Sequence, residues 1–301
     1  MKLAITGGTG FIGSHFIEIA LADGHSVRAL TRRPQPERDG VTWIDGSLSD
    51  RESLRRLVDP CDAMVHIAGV LNARDRATFD AGNVEGTLNV LAASTAAGLH
   101  RIVHVSSLAA REPTLSMYGA SKARAEELVE RSGLDWAIVR PPAVYGPGDR
   151  ETLELFAMAR RGLILLPPKG RLSVIHVEDL ARLLLALAAP DAPSKVVLEP
   201  DDGHRAGWTH DEFARALGDA VGRKGIRLSM PSPLLRFGAV LDQVIRRDGA
   251  KLTRDRAAYF AHPDWVANTD RLVPGDLWKP AIRTEDGLRQ TAVWYRENGW
   301  L

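Results

Sequence analysis

Lys2-Leu3-Ala4-Ile5-Thr6-Gly7-Gly8-Thr9-Gly10-Phe11-Ile12-Gly13 is a short apolar run followed by glycine at 7, 10 and 13. The run reads as a buried strand. Phe16, Ile17, Ile19 and Ala20 then recur at helical spacing. A strand, a glycine-rich turn and a helix N-terminus together make an anion site, because backbone N–H groups and the helix dipole converge there. Gly7 permits the tight turn, Gly10 lets a pyrophosphate approach the backbone, and Gly13 lets the helix pack against the strand. The spacing is GxxGxxG rather than GxGxxG, and its strand-to-helix context gives the glycines their meaning.

The 301 residues can bury a large core and are enough for one or two domains. The net charge of +1 points to neither nucleic acid nor an anionic membrane as the main partner. A single cysteine, Cys61, excludes an internal disulfide and fits a reducing compartment. No secretory pattern and no apolar run of about 20 residues is evident, so a cytoplasmic protein without a membrane span is expected.

Further along, strands and helices alternate. Strands are predicted at Ser26–Leu30, Val41–Ile44, Ala63–Ile67, Arg101–Ser106 and Trp136–Val139, with helices near 50–58, 83–97 and 118–131. That alternation predicts an α/β fold: a doubly wound parallel Rossmann sheet with right-handed crossovers. After Gly170 the order is less regular, and five of the seven tryptophans lie beyond residue 200. Residues 166–301 are therefore expected to form a smaller, mixed α/β substrate domain. Residues 1–165 would be the dinucleotide-binding domain, with a segment near 174–188 packing back onto it.

The second strand bears on the cofactor. An acidic residue near its end selects NAD in this fold. Here the strand runs into Thr31-Arg32-Arg33, with no carboxylate, and two guanidiniums could grip a 2′-phosphate. NADP(H) is favoured and NAD(H) stays open. Ser47 and Leu48, after the third strand, would lie beside the adenine.

Tyr118 and Lys122 stand one helical turn apart on one face. A nearby ammonium is expected to stabilise the phenolate and lower the tyrosine pKa, giving a general acid/base. Ser106 and Ser107 close the preceding strand, where hydroxyls face the ligand cleft of such a sheet.

Several stretches occur in an order that resembles the short-chain dehydrogenase/reductases, specifically the extended or atypical group that includes the NAD-dependent epimerase/dehydratases. They are Thr6 to Gly13, His66-Ile67-Ala68-Gly69, Asn83-Val84-Glu85-Gly86-Thr87, Val105-Ser106-Ser107, Tyr118 to Lys122, Arg140 to Gly148, and Ile175 to Ala181. The resemblance covers residues 1 to about 187. It implies that Tyr118 exchanges a proton with the substrate oxygen, that Ser107, with Ser106 as second candidate, hydrogen-bonds the same oxygen, and that Lys122 binds the nicotinamide ribose. It also implies that Asn83 supports the proton relay or holds its helix through backbone contacts. Cofactor contacts would come from Gly7, Thr9, Gly10, Phe11, Ile12, Gly13, Ala68, Gly69, Ser106, Pro141 and Val144. Ser107 and Tyr118 are only eleven residues apart, shorter than in many sugar-nucleotide epimerases.

Other motifs are weaker. His66 and His104 read as packed strand residues, no cluster has metal-ligand spacing, and Ser106-Ser107 lacks a GxSxG elbow. Leu234, Phe237, Val240, Leu241, Val244 and Ile245 form an apolar stripe at helical spacing, read first as packing against the sheet domain and otherwise as the roof of an apolar pocket or a partner contact. Three functions are carried forward. The first is an NAD(P)-dependent oxidoreductase acting on a small, moderately apolar carbonyl or alcohol. The others are a nucleotide-sugar epimerase or dehydratase, and a non-catalytic cofactor-binding accessory or assembly protein. The partner in the first two is a small molecule, and a homodimer is left open.

Overall fold

The computed structural model describes residues 1–231 and 254–301. The apolar stripe from Leu234 to Ile245 lies outside the described residues. The chain divides into two compact units. The first joins Met1–Pro141 with Val177–Pro200 and Arg271–Lys279, and the second joins Pro142–His176 with Asp201–Asp270 and Pro280–Leu301.

The first unit is a doubly wound α/β sheet. Its strands β1 (Lys2–Thr6), β2 (Ser26–Thr31), β3 (Val41–Asp45), β4 (Ala63–His66), β5 (Arg101–Val105) and β6 (Asp135–Val139) lie in the order β3-β2-β1-β4-β5-β6. A seventh strand, Val196–Leu198, extends the sheet beyond β6, and every pairing is parallel. Strand order reverses between β1 and β4. Crossovers leave in opposite directions there, which opens a crevice at the carboxyl ends of the strands.

The central strands β1, β4, β5 and β6 are buried almost throughout, as expected where helices cover both faces, whereas the edge strand β3 buries only Ile44. Helices α1 (Phe11–Ala22) and α2 (Arg51–Val58) follow β1 and β3. Asp50 caps α2 by accepting from the amides of Glu52 and Ser53. On one face Met64, Ile102 and Ile138 pack with Leu54, Leu57, Val90 and Val129 from the helices. Each such fully buried side chain contributes about 1.5–3 kcal/mol of transfer free energy. Helix Val177–Ala188 packs beside α1. The Trp278 indole donates to the Asp179 carbonyl at 3.0 Å, which ties residues 271–279 to this unit although they lie far along the chain.

One expected helix takes a different course. Residues 76–96 form α3 (Arg76–Phe79), a π-helical turn (Asp80–Glu85) and α4 (Gly86–Ala96). The widened turn carries Asn83 inward, where it is buried. Single π turns inside helices are frequent at functional sites. The last helix of this run, α5 (Met117–Glu130), is capped by Ser116, whose hydroxyl accepts from the Gly119 amide.

The second unit is built on helices Leu153–Arg161, His210–Val221 and Thr284–Glu297. They pack around Tyr145, Phe156, Phe213, Leu217, Leu288 and Tyr295. Short two- and three-stranded ribbons complete it.

Candidate active site

The phosphate cradle follows from the glycine positions. Gly7 has φ +78°, and a side chain there would bring its Cβ to 2.8 Å from the Ala68 amide nitrogen. A Cβ on Gly13 would overlap the Gly7 carbonyl. The Gly10 amide donates back to the Gly7 carbonyl at 2.9 Å, which closes the turn. Gly10 is the N-cap of α1 and offers no side-chain cap, and the first turn holds no acidic residue. The N–H groups of residues 11–13 thus meet neither a capping side chain nor a first-turn carboxylate. Thr9 and Gly10 are exposed, Phe11 and Ile12 half-buried, Gly13 buried. This set fits a dinucleotide pyrophosphate, because a backbone cradle that a Cβ would fill faces an uncapped helix end.

The end of β2 is rigid where the arginines begin. Thr31 is buried, and its hydroxyl donates to the Arg33 carbonyl at 2.6 Å and accepts from the Arg33 amide at 3.2 Å. Arg32 and Arg33 are exposed, and no carboxylate among the described residues pairs with either guanidinium. Ser47 meets the Ser49 hydroxyl at 2.9 Å. Leu48 packs against the position of the missing Gly86 Cβ, and its carbonyl accepts from Asn89 at 2.9 Å.

The reactive side chains gather at the carboxyl end of β5. The Tyr118 phenol stands near enough to the Ser107 hydroxyl for the two to interact. Ser107 also accepts from the Ala109 amide at 3.2 Å, capping the short 3₁₀ turn Leu108–Arg111. Gly119 lets α5 lie close against that turn, since a Cβ would come to 2.5 Å from the Ala109 carbonyl oxygen. The Phe79 ring stands 6.2 Å from the Tyr118 ring, centroid to centroid. Lys122 is buried and donates from Nζ to the Val105 carbonyl at 2.7 Å. Burial pulls its pKa down to about 8, with the Glu126 carboxylate acting in the opposite sense.

The expected lowering of the Tyr118 pKa does not hold in the free protein. Burial pushes the phenol up to about 12, and the neighbouring Ser107 hydroxyl only partly opposes that. The physical reason is the low-dielectric setting, which penalises phenolate, while the Lys122 ammonium is engaged at the Val105 carbonyl.

Asn83 is fully engaged. Its Oδ1 accepts from the Val70 amide at 2.6 Å, and its Nδ2 donates to the Val70 carbonyl at 3.0 Å and to Ser121 Oγ at 2.8 Å. It thereby pins the loop after β4, which carries Ala68 and Gly69, to α5. Gly69 is close by: a Cβ there would stand 3.1 Å from Asn83 Oδ1 and 3.9 Å from Lys122 Nζ. His66 is buried between Thr6 Oγ1 at 2.6 Å and Thr87 Oγ1 at 3.0 Å. Burial, and then the Lys122 charge, pull its pKa down to about 3, so it is neutral. His104 lies beside it, with ring centroids 5.3 Å apart, and the same causes hold it neutral. Both histidines are packed residues.

Ser106 points into a buried ionic chain that the sequence reading missed. Its hydroxyl donates to Glu126 Oε1. Arg140 grips Glu126 at 2.9 and 2.6 Å and reaches Glu199 at 3.3 Å, and Arg111 meets Glu199 at 3.2 Å. These bonds join the ends of β5, β6 and the seventh strand to α5, and so fix where Ser107, Tyr118 and Lys122 stand. Removing one partner of such a buried pair typically costs about 3–5 kcal/mol. The available signal was the spacing Tyr118, Lys122, Glu126, three polar residues on one face of a helix that must otherwise be buried. Pro141 accepts from the Leu108 amide at 3.1 Å. Val144 belongs to the second unit, in register with Ile175.

The family model for the NAD dependent epimerase/dehydratase family matches residues 3–198. The chain belongs to this family. Its relatives include the ceramide reductase of Caulobacter vibrioides, 37% identical over 99% of this chain and 96% of that protein. The 2-alkyl-3-oxoalkanoate reductase of Stenotrophomonas maltophilia is 32% identical over 96% of this chain and 98% of that protein. Among solved structures, the Bordetella bronchiseptica enzyme WbmG in complex with NAD aligns with a TM-score of 0.76 at 21% identity, covering 100% of this chain and 95% of that one. The family's Rossmann sheet is the first unit described above. The chain is accordingly an enzyme of the NAD-dependent oxidoreductase and epimerase class, and the accessory-protein reading falls away.

Proposed function

We propose that the protein is a nicotinamide-dependent reductase of a lipid-like ketone, with Tyr118 as the proton donor. The observation that carries this reading is the gathering of Ser107, Tyr118 and a buried Lys122, bonded to the Val105 carbonyl, at the carboxyl end of β5. When bound, the nicotinamide cofactor supplies the hydride. Ser107 Oγ and Tyr118 Oη would converge on the substrate oxygen, hold it, and orient the carbonyl. Tyr118 would then give its proton to that oxygen as negative charge develops there. A phenol pushed up to about 12 is fully protonated near neutrality. That is the form reduction needs, whereas alcohol oxidation would need phenolate.

Two reductases that match nearly the whole chain are named for ceramide and for an alkyl-bearing 3-oxoalkanoate. Both names describe substrates that bear alkyl chains, and one of them names a 3-oxo group; we assign this chain a ketone or secondary alcohol next to an apolar chain. The test is to supply a keto-ceramide and a 2-alkyl-3-oxo acid in detergent micelles, with a nucleotide sugar as comparison. Net oxidation of the reduced cofactor matched by alcohol formation supports the reading. Isomerisation of the nucleotide sugar without net cofactor turnover would replace it with an epimerase.

Arg32 and Arg33 support NADP(H) over NAD(H), because their exposed guanidiniums follow β2 where an acidic ribose contact would stand. Replacing both with alanine should weaken NADP(H) binding by about 1–3 kcal/mol through lost charge-assisted bonds and leave NAD(H) nearly unchanged. Calorimetric titration of both cofactors checks this. Equal loss for both, or tighter NAD(H) in the unmodified protein, would remove the NADP assignment.

A further inference from the structure

In the second unit, strands Leu163–Leu166 and Ile226–Ser229 pair in parallel as a two-stranded ribbon. Side chains alternate across it. Ile164 and Leu166 are buried, in a cluster with Phe156 and Leu217. The other face carries Leu163, Leu165, Ile226 and Leu228, in register as Leu163 with Ile226 and Leu165 with Leu228. All four are exposed, at 42%, 40%, 65% and 50%. Four adjacent large aliphatic side chains in water are a costly surface for a solitary protein to keep.

The two strands and the turns that flank them carry charge of one sign, while the neighbouring helix His210–Val221 supplies Asp211 and Asp219. Residues 160–169 and 223–231 hold Arg160, Arg161, Lys169, Arg223, Lys224 and Arg227, and no carboxylate. Arg227 is neutralised by Asp211, with Nε to Oδ1 at 2.6 Å. Arg223 donates to the Arg160 carbonyl at 2.9 Å, which places these two residues together where the ribbon begins. Arg160, Arg161 and Lys224 pair with no carboxylate among the described residues. Asp219, on the neighbouring helix His210–Val221, is the acid that shares the Arg223–Lys224 surroundings. The chain's near-neutral total charge conceals this local arrangement.

We infer that the Leu163–Leu165–Ile226–Leu228 face docks on an anionic lipid bilayer, with its aliphatic side chains in the acyl boundary and the flanking cations on the headgroups. No helix among the described residues is long and apolar enough to cross a membrane, so the association is peripheral. Apolar area and attraction to anionic lipid add in such contacts. The inference rests on this surface and holds whether or not the substrate is a lipid.

The test is co-sedimentation of the full chain with phosphatidylcholine vesicles, with and without phosphatidylglycerol, at low and high salt. Binding should require the anionic lipid and weaken with salt. The double variant Leu165→Ser, Leu228→Ser should bind about 10–100-fold more weakly with an unchanged melting temperature, since both side chains are already exposed. The triple variant Arg160→Ala, Arg161→Ala, Lys224→Ala should lose the preference for anionic vesicles. Failure of the unmodified protein to bind, or undiminished binding by the double variant, overturns the inference. So does light scattering that shows a dimer converted to a monomer by the double variant, because a second copy would then cover the face.

Discussion

Tyr118→Phe should lower kcat about 10²–10⁴-fold while cofactor affinity stays nearly unchanged. The substitution removes the phenol oxygen and keeps the ring, including its approach to Phe79. It also removes the phenol's interaction with Ser107. Ser107 keeps its capping contact with the Ala109 amide, so the 3₁₀ turn should hold its shape. Steady-state rates on a verified ketone, with cofactor titration alongside, check both halves. Near-normal turnover would mean that another group moves the proton.

Lys122→Ala should harm binding and rate together. The ammonium is buried at the Val105 carbonyl and lies close to Gly69 and Asn83, and it is assigned to the nicotinamide ribose. Losing a charged hydrogen bond of this kind costs about 1.5–3 kcal/mol, or roughly 10–150-fold in cofactor affinity. The rate should fall further because the positive charge near the developing oxyanion goes with it. A pH signature separates this role from simple packing. With a folded pKa of about 8, Lys122 carries its proton below that pH and loses it as pH rises through it. Cofactor affinity should therefore decline above about pH 8 in the unmodified protein, and that decline should be absent in Lys122→Ala. An identical pH profile in the two proteins would show that Lys122 does not hold the cofactor.

The parts of this site that could be read from sequence are those set by short-range geometry. Gly7, Gly10 and Gly13 answer to a turn and a helix start only residues apart. Tyr118 and Lys122 answer to one helical turn. The six strands β1–β6 are short runs between turn signals, and their alternation with helices gives the parallel pairing and the crossover hand. What stayed hidden depends on distant partners. The seventh strand, Val196–Leu198, is three residues long and gains its identity only by pairing with β6. Asp80–Glu85 has an ordinary helical composition, and the π turn arises where Asn83 must reach Val70 and Ser121. The chain Ser106–Glu126–Arg140–Glu199 joins residues up to 93 positions apart. The Tyr118 pKa went the other way from expectation because helical spacing says nothing about burial.

Deuteride transfer is the most direct measurement of the central assignment. The protein is incubated with its ketone and reduced cofactor carrying deuterium at the transferable position, and the product is weighed by mass spectrometry. The Tyr118-dependent reduction described here gives one deuterium on the carbinol carbon, one equivalent of oxidised cofactor per alcohol, and no label transfer with Tyr118→Phe beyond a trace. An unlabelled product, or product formed with the cofactor returned unchanged, would contradict it.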